Sequence, residues 1–515
     1  MEERLSKWGG ESAVGVAWLA QRYGVDPVQA PRYQSRIART RSETRQGNSC
    51  VCSYEERYRP EPTLRGHLEF SMRHERVSLE FLARLFAVAG YDELSKWAND
   101  EPTGRYARRA GFFFEWLTGR ELDFGGVRSG GYIDALDSSL YLTATQGVNN
   151  SRWRVRDNLP GDPSFCPIVL LTDTVKDALG FDVASAWMGL EDEFGKELLA
   201  RSAVWLTIRE SRSSFGIEGE SSQTDRIRRF ATVLETEVGK HDNLFEESTL
   251  VNLQRAILGD VATRHGIRQS PIFVGETRGS MELVHYVAPH WDIVRDMLAG
   301  LAKVEVSTRG SSSIMRASVL SFGFVYIHPL SDGNGRVSRF LVNDVLRRDG
   351  SLPEPFVLPI SVVISGAIRD YDRVLDILSK PLMRRYSSAY RIGEGLRYED
   401  GFTSTFHFDA YKDAEPCWRY PDLTDHVEYL SGVIKRTVEV DLRIEARQMR
   451  AHRNARLFVN DIIEGPTEDL DRIVRSVSEN GWTLSNKLLA EFPFLADAEV
   501  GQRLIQGVRN AFEEE

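Results

Sequence analysis

The stretch from Ile327 to Arg339 constrains the fold more than any other part of the sequence. It reads Ile-His-Pro-Leu-Ser-Asp-Gly-Asn-Gly-Arg-Val-Ser-Arg and separates two segments with helical character. The segment before it, 314–326, is apolar on nearly every face, which predicts a helix that is buried all round. The segment after it keeps the helical spacing of apolar residues as far as Leu346. The sequence therefore predicts two helices joined by a Gly-Asn-Gly turn.

The residues of this turn suit a ligand that carries phosphate groups. A turn that begins a helix directs backbone N–H groups and the positive end of the helix at one point, which favours an anion. Gly333 and Gly335 let the backbone approach a ligand closely, and Asn334 adds an amide between them. Arg336 and Arg339 are three residues apart, so they share one face of the second helix and can pair with successive phosphates.

Two further side chains in this stretch supply groups that chemistry on a phosphate requires. His328 can take up a proton near neutral pH, and Asp332 can hold a hard divalent cation. Each feature alone has a plainer explanation, because a histidine after a helix is commonly structural, Asp-Gly-Asn-Gly is most often a turn, and paired arginines commonly form a solvated face. Their occurrence together, in this order, favours a nucleotide site.

Residues 328–339 resemble the motif of the Fic family, His-x-Phe-x-(Asp/Glu)-Gly-Asn-Gly-Arg-x-x-Arg. One position departs from it, since Leu330 stands where phenylalanine is usual, and a residue there is expected to be a buried anchor. The resemblance implies a mainly α fold, with a Fic-type helical core and a β-hairpin flap. It also implies an enzyme that moves AMP from ATP to a Ser, Thr or Tyr hydroxyl of a target protein, or of itself.

The resemblance implies a role for each residue of the motif. His328 would be the general base that deprotonates the target hydroxyl, and Asp332 would hold Mg²⁺ against the phosphates of ATP. The turn of Gly333, Asn334 and Gly335 would surround the α-phosphate, while Arg336 and Arg339 would hold the outer phosphates. These roles agree with phosphoryl-type transfer as a reaction that depends on positioning and charge stabilisation.

A second motif lies about a hundred residues upstream. Ser214, Glu218 and Gly219 resemble the inhibitory segment of Fic proteins, (Ser/Thr)-x-x-x-Glu-(Gly/Asn). The resemblance implies that Glu218 pairs with Arg339, occupies the position of the γ-phosphate and so inhibits the enzyme from within the same chain. The alternative is a serine-rich loop with an ordinary surface glutamate.

The length of 515 residues suggests about three domains. We expect an N-terminal α+β region of unknown role (1–185), a catalytic core (186–385, with the inhibitory segment 213–219 and the flap 268–289), and a C-terminal helical region that resembles a helix-turn-helix (386–515). Within the first region the patterns predict one helix over 68–87, a β-hairpin over 125–141 and a linker near 162–167.

Composition narrows the partners and the compartment. The net charge of −10 provides no general attraction for nucleic acid or anionic lipid. No signal peptide and no membrane span are recognisable, and the few cysteines fit reduced thiols, so we expect a cytoplasmic protein. Cys50 and Cys52 are close in sequence, but no second pair with zinc-site spacing accompanies them. A possible basic stripe on a C-terminal helix consists of Arg443, Arg447, Arg450 and Arg453.

Several functions stay open on the sequence alone. The motif fits an autoinhibited protein adenylyltransferase, a Fic-fold enzyme that uses another nucleotide or removes AMP, or a regulator that binds nucleotide or DNA without turnover. DNA binding has the basic stripe in its favour, whereas the acidic C-terminal region counts against it. A second copy of the chain, forming a homodimer, is another candidate partner. Intact His328 and Asp332 favour the enzymes over the regulator.

Overall fold

A computed structural model of the protein describes residues 10–220, 222–259, 264–278 and 281–513. Helices predominate and the sheets are small, which confirms the mainly α fold class. The chain forms two compact units. The first unit comprises the described residues of Met1–Gly180, Gln223–Asp349 and Ala367–Gly432, and the second unit those of Phe181–Ser222, Gly350–Gly366 and Val433–Glu515. Segments of the two units alternate along the chain. The division into three consecutive regions with separate roles, which was expected from the sequence, stays a prediction.

The N-terminal third of the chain is an α+β region with two small sheets. Its helices are α1 (Val16–Tyr23), α2 (Leu64–His74), α3 (Leu79–Val88), α4 (Tyr91–Asp100), α5 (Arg105–Thr118) and α6 (Asp173–Leu179). Its strands are β1 (Ala13–Val14), β2 (Tyr33–Ile37), β3 (Ser42–Gln46), β4 (Ser49–Tyr54), β5 (Ile133–Asp134), β6 (Val148–Asn150) and β7 (Val155–Asp157). The strand orders are β1-β2-β4-β3 and β5-β7-β6. The aromatic run of α5, Phe112 to Phe114, is buried in the core.

The helix and the hairpin predicted for this region are both wrong. The single helix expected over 68–87 is two helices, because Ser78 begins α3 by accepting a hydrogen bond from the N–H of Phe81. The hairpin expected over 125–141 is absent from this described stretch, since β5 pairs in parallel with β7, some twenty residues further along. Alternation in the sequence indicated a strand but not its partner.

The linker expected near 162–167 is instead part of the core of the first unit. Cys166 is fully buried, and its N–H donates to the carbonyl of Arg419 at 2.8 Å. Ile168 exchanges backbone hydrogen bonds with Pro421 and Leu423 on either side. The segment 162–167 is therefore extended, as its prolines predicted. It pairs with residues about 250 positions further along the chain and does not join two domains.

The middle of the chain contains both motifs. Its elements are α7 (Val183–Phe194), α8 (Lys196–Ile217), α9 (Thr224–Glu237), α10 (Glu247–Leu258), β8 (Phe273–Arg278), β9 (Met281–Val287), α11 (Trp291–Ser307), α12 (Ser313–Ile327) and α13 (Asn334–Arg348). Of these, α7 and α8 belong to the second unit. Helix α12 packs against α11 and α13 and is buried over nearly its whole length, as its apolar sequence predicted.

The remaining elements follow in both units. They are α14 (Ile360–Gly366), α15 (Ile368–Arg385), β10 (Tyr390–Arg397), β11 (Thr403–Phe408), α16 (Tyr411–Arg419), α17 (Thr424–Arg436), α18 (Leu442–Ile462), α19 (Thr467–Glu479), α20 (Asn486–Glu491) and α21 (Ala498–Glu513). Helices α18 to α21 bury a common apolar core. No helix in the described part of the chain combines the length and apolar character needed to cross a membrane.

The basic stripe lies on α18, where part of it has partners inside the second unit. Arg443 and Arg447 form ion pairs with Glu193 at the end of α7. Arg450 donates to the backbone carbonyl of Glu193 and lies over the ring of Phe194. These contacts neutralise some of the charge that DNA binding would use, and DNA binding itself stays a prediction.

Candidate functional site

The turn between α12 and α13 is closed by the side chain of Asn334. Its Oδ1 accepts from the N–H of Leu330 at 2.9 Å, and its Nδ2 donates to the carbonyl of Leu330 at 2.7 Å. Leu330 itself is fully buried, as expected of the anchor at this position. The amide of Asn334 therefore shapes the turn.

Gly333 begins α13 in the left-handed region, with φ of 91°. A Cβ added there would lie 3.4 Å from Cδ1 of Leu258, which is ordinary contact, so the constraint on this position comes from its φ. The first N–H groups of a helix have no carbonyl one turn earlier to bind. Those of Asn334 and Gly335 are therefore directed out of the start of α13, where the helix end is positive.

His328 ends α12 and also has a positive φ, of 50°. Its ring Nδ1 lies 3.2 Å from the backbone carbonyl of Val325. Because a carbonyl only accepts, Nδ1 carries the hydrogen of a neutral ring and Nε2 carries the lone pair. The ring is half-buried. The ring therefore has the tautomer that a general base acting through Nε2 requires.

A buried arginine holds the backbone of His328 in place. Nε of Arg268 donates to the carbonyl of His328 at 2.7 Å, and Nη2 donates to the carbonyl of Pro289 at 2.7 Å. The guanidinium also donates to the carbonyls of Ser270 and Ile327. Burial lowers the pKa of Arg268 to about 10, and carbonyl oxygens satisfy the group in place of a carboxylate. The side chain thus joins the motif to both ends of the flap.

Arg268 is a functional candidate that sequence reasoning missed. In the sequence it is simply the first residue of the expected flap, and nothing nearby marks it as buried. Its backbone N–H donates to the carbonyl of Pro329, and its neighbour Ile267 forms a bridge with Leu330. The role depends on pairing between two segments sixty residues apart, which a local pattern does not reveal.

Asp332 and Arg336 form an ion pair at the start of α13. Nη2 of Arg336 is 2.7 Å from Oδ1 of Asp332, and the Asp332 side chain is 46% exposed whereas that of Arg336 is 2% exposed. The backbone carbonyl of Asp332 accepts from Nε2 of Gln254, a fully buried residue of α10. The carboxylate of Asp332 is therefore accessible to a cation, and the backbone of Asp332 is held in place by Gln254.

The expected flap is a β-hairpin, which confirms its predicted structure; residues 279 and 280 at its turn lie outside the described residues. Strands β8 and β9 are antiparallel. The ring of Phe273 packs on that of Phe406 in β11, with centroids 4.7 Å apart. Asp400 accepts from the N–H of Gln269 and the hydroxyl of Ser270. The second hairpin, β10–β11, thus supports the base of the flap.

A buried histidine supports the last turn of α12 before the motif. Nε2 of His426 is 2.6 Å from the hydroxyl of Tyr326, and Tyr286 of the flap donates to the carbonyl of Tyr326. Burial lowers the pKa of His426 to about 3, so the ring stays neutral. Contacts from β9 and α17 therefore converge on the residue that lies two positions before His328.

The inhibitory segment lies at the end of α8, not in a loop. The N–H of Glu220 donates to the carbonyl of Phe215, and the N–H of Gly219 donates to the carbonyl of Gly216. These two bonds form a Schellman motif, which needs a positive φ at its glycine, and Gly219 has φ of 75°. Glu218 is the C-terminal cap of the helix, and Ser214 is fully buried.

The two groups of predicted residues thus belong to different units. The first unit brings together His328, Asp332, Gly333, Asn334, Gly335, Arg336 and Arg339 on one loop and one helix, and Arg339 is buried. Ser214, Glu218 and Gly219 belong to the second unit. The pairing of Glu218 with Arg339 stays a prediction.

Residues 244–346 match the family model described as Fic, Fic/DOC family. The matched range begins just before α10 and ends within α13, so it contains the flap and all the residues from His328 to Arg339. The inhibitory segment lies upstream of it. The match therefore covers the motif and helices α10 to α12, but not α17.

The chain is also similar to two curated nematode proteins. It is 28% identical over 160 residues to Protein adenylyltransferase fic-1 of Caenorhabditis briggsae, which covers 28% of this chain and 29% of that protein. It is 27% identical over 164 residues to Protein adenylyltransferase fic-1 of Caenorhabditis elegans, which covers 30% of each chain. The chain thus spans less than a third of the length of these relatives.

Solved structures show a looser likeness. A Fic family protein from Desulfovibrio desulfuricans G20 is 20% identical, with 55% of this chain and 80% of that chain covered and a TM-score of 0.39. A Fic domain containing signaling protein from Bacteroides thetaiotaomicron VPI-5482 is 20% identical, with 53% and 96% covered and a TM-score of 0.34.

Proposed function

From the match of residues 244–346 to the Fic/DOC family model, we propose that this chain is an autoinhibited protein adenylyltransferase. It moves AMP from ATP to a hydroxyl side chain of a target protein. The observation that carries the proposal is the 3.2 Å distance from Nδ1 of His328 to the carbonyl of Val325, which assigns the hydrogen of a neutral ring to Nδ1 and the lone pair to Nε2. The names of the nematode relatives support the same reaction.

The proposed reaction is a displacement at the α-phosphate of ATP. Nε2 of His328 takes the proton of the target hydroxyl as the hydroxyl oxygen bonds to the α-phosphorus. The bond from that phosphorus to the bridging oxygen breaks, and pyrophosphate leaves with the electron pair. The chain's contribution is to hold the base, the hydroxyl and the phosphates in line, which dominates the catalysis of such transfers.

The start of α13 and its arginines would hold the phosphates. The backbone N–H groups of Asn334 and Gly335 lie at the positive end of the helix and suit the α-phosphate. Arg336 and Arg339 lie on one face of α13, and both are buried, so a phosphate on them would be held with little competition from water. This division of labour separates proton transfer at His328 from phosphate binding.

Asp332 fits the role of magnesium ligand. Its carboxylate is an oxygen donor, is half exposed beside the helix start, and pairs through one oxygen with Arg336. Mg²⁺ bound there would neutralise charge on the phosphates. We expect Asp332→Ala to lose Mg²⁺-dependent activity with little change in melting temperature. A much lower melting temperature with unchanged Mg·ATP binding would show that Asp332 is structural.

The flap would hold the target by strand pairing. A two-stranded hairpin leaves backbone groups along its outer edges, to which an extended peptide can add as a further strand. The clamp at Arg268 joins the base of that hairpin to the backbone of His328. A peptide on the flap would thereby be aligned with the base that deprotonates it.

Glu218 would be the inhibitor. We propose that its carboxylate competes with the γ-phosphate for Arg339, so ATP binds in an unproductive position until Glu218 withdraws. The sequence match to the inhibitory motif and the exposure of Glu218 at the end of α8 support this role. In this proposal the enzyme transfers AMP slowly as long as Glu218 occupies Arg339.

The experiment is labelling of the chain and of lysate proteins with α-³²P-ATP and Mg²⁺. Wild type, Glu218→Gly and the matched Glu218→Gln should be compared, with γ-³²P-ATP as the control for phosphate transfer. We expect label from the α-position alone, and more of it in both variants. Label from α-³²P-UTP or GTP instead would identify another nucleotide transfer. Absence of label from every nucleotide in all three forms would favour a regulator without turnover.

A further inference from the structure

The four-stranded sheet of the first unit brings two thiols and a carboxylate to one face. Cys50 and Cys52 are two residues apart on β4, so their side chains point to the same side. Glu43 on β3 lies directly opposite Cys52 in the antiparallel register, and directly opposite residues share a face. Spacing in the sequence suggested no metal site here because the third ligand comes from the neighbouring strand.

The distances match those of a metal site. The two sulfur atoms are 3.7 Å apart, and the ligand atoms of Glu43, Cys50 and Cys52 all lie within 4.8 Å of one another. Two thiolates that bind one Zn²⁺ at about 2.3 Å in tetrahedral geometry are about 3.8 Å apart. A disulfide would need a separation of about 2.05 Å. The sulfur atoms are therefore already spaced as two ligands of a single ion.

We propose that Glu43, Cys50 and Cys52 form a binding site for a thiophilic divalent cation such as Zn²⁺. Three protein ligands leave one tetrahedral position for water or another donor, which is the pattern of an exchangeable site rather than a closed structural one. Strand β3 is at the edge of the sheet, and the Glu43 side chain is 48% exposed, so an ion can enter from solvent.

The apo site has its own interactions, which an ion must displace. Nε of Arg45 is 2.9 Å from Oε1 of Glu43, but the Arg45 side chain is 69% exposed and can turn toward water. Such an exposed ion pair is weak and competes little with a bound cation. A bound cation takes the place of the thiol protons, because the thiolate is the form that binds a metal.

The test is a titration of the full reduced, metal-free chain with Cd²⁺, followed by thiolate-to-cadmium charge-transfer absorbance. Competition with Zn²⁺ then gives the zinc affinity. We expect one ion per chain in wild type. Cys50→Ser or Cys52→Ser should weaken binding more than about 100-fold, beyond the loss caused by an outer-shell change, and Glu43→Gln by about tenfold.

The matched control is Glu56→Gln. Glu56 is also an exposed carboxylate paired with an arginine, Arg59, but it is not in the group of potential metal ligands, so its loss should leave binding unchanged. If Cys50→Ser fails to fold, Cys52→Ser and Glu43→Gln still test the site, because both side chains are less buried. Unchanged Cd²⁺ binding in Cys52→Ser, or no charge-transfer band in wild type, would overturn the proposal.

Discussion

Gly333 and Gly219 both adopt a positive φ, but the first begins a helix and the second ends one. At Gly333 the positive end of α13 faces the position proposed for a phosphate, so the helix and its ligand attract each other. At Gly219 the negative end of α8 carries the carboxylate of Glu218, and there the helix and its cap repel each other. One motif thus offers the positive end of its helix to a negative charge, whereas the other holds a negative charge at the negative end of its helix.

This difference supports opposite roles for the two motifs. A carboxylate at the negative end of a helix is stabilised by a cation from elsewhere, which agrees with a contact that can form and break. The phosphate position at α13 is attractive without further change. In the function proposed above, α13 would be the permanent half of the site and the end of α8 its regulator, and four predictions test that comparison.

The largest effect is expected at the permanent half. In a Glu218→Gly background, His328→Ala should lower the labelling rate by about 10²–10⁴-fold through loss of the general base. His328→Asn is the matched variant, because its amide can still donate to the carbonyl of Val325 but has no basic nitrogen. Both should bind ATP as tightly as their parent does in a filter assay. Substantial labelling by the asparagine variant would show that the hydrogen bond, not proton transfer, is what matters.

A smaller effect is expected where the clamp supports the same half. Arg268→Lys keeps the charge but loses the planar fork that reaches several carbonyls, so His328 should shift. A displacement of this kind can cost up to about 100-fold in kcat, whereas KM for ATP should change little. Arg295→Lys, in an exposed ion pair with Glu247, is the control. Equal changes in kcat and KM would indicate general damage to the fold rather than lost positioning.

The regulator itself should have an effect of about tenfold to a hundredfold, which corresponds to a charged contact of about 1–3 kcal/mol. Glu218→Gly should raise self-labelling by this factor, and Glu218→Gly with Arg339→Ala should lose most of the gain. Glu220→Gln, two residues beyond and outside the motif, should behave as wild type. If activation survives the loss of Arg339, Glu218 inhibits by a route other than this pairing.

The smallest effect is expected on stability, in the support beneath the permanent half. The pKa of His426 is about 3 in the folded chain and 6.5 in the unfolded chain. Between these two values His426 is protonated in the unfolded chain and neutral in the folded chain. Stability is full above pH 6.5 and falls toward pH 3 by about 1.4 kcal/mol per pH unit. His426→Asn should remove that part of the slope in urea unfolding at pH 7 and pH 5, and His407→Asn on β11 should not. An unchanged slope in His426→Asn would show that this histidine does not control it.

Local features of the site were predictable from the sequence, and contacts between distant segments were not. The ends of α12 and α13 and the hairpin of the flap follow from apolar spacing and glycine positions, which act over a few residues. The clamp by Arg268 and the third ligand of the proposed metal site, Glu43, depend on pairing with other segments. The Schellman bonds at Gly219 lie between these cases, because the glycine is visible in the sequence but the hydrogen bonds that make it a helix end are not.

The His426 and Asp400 contacts bear on how this gene can recombine. Both residues lie outside 244–346, yet one supports Tyr326 and the other binds the base of the flap. A recombination event that transferred only the family segment would carry every motif residue from His328 to Arg339 and leave these supports behind. The segment is therefore a unit of sequence resemblance whose structural supports lie partly in the flanking chain.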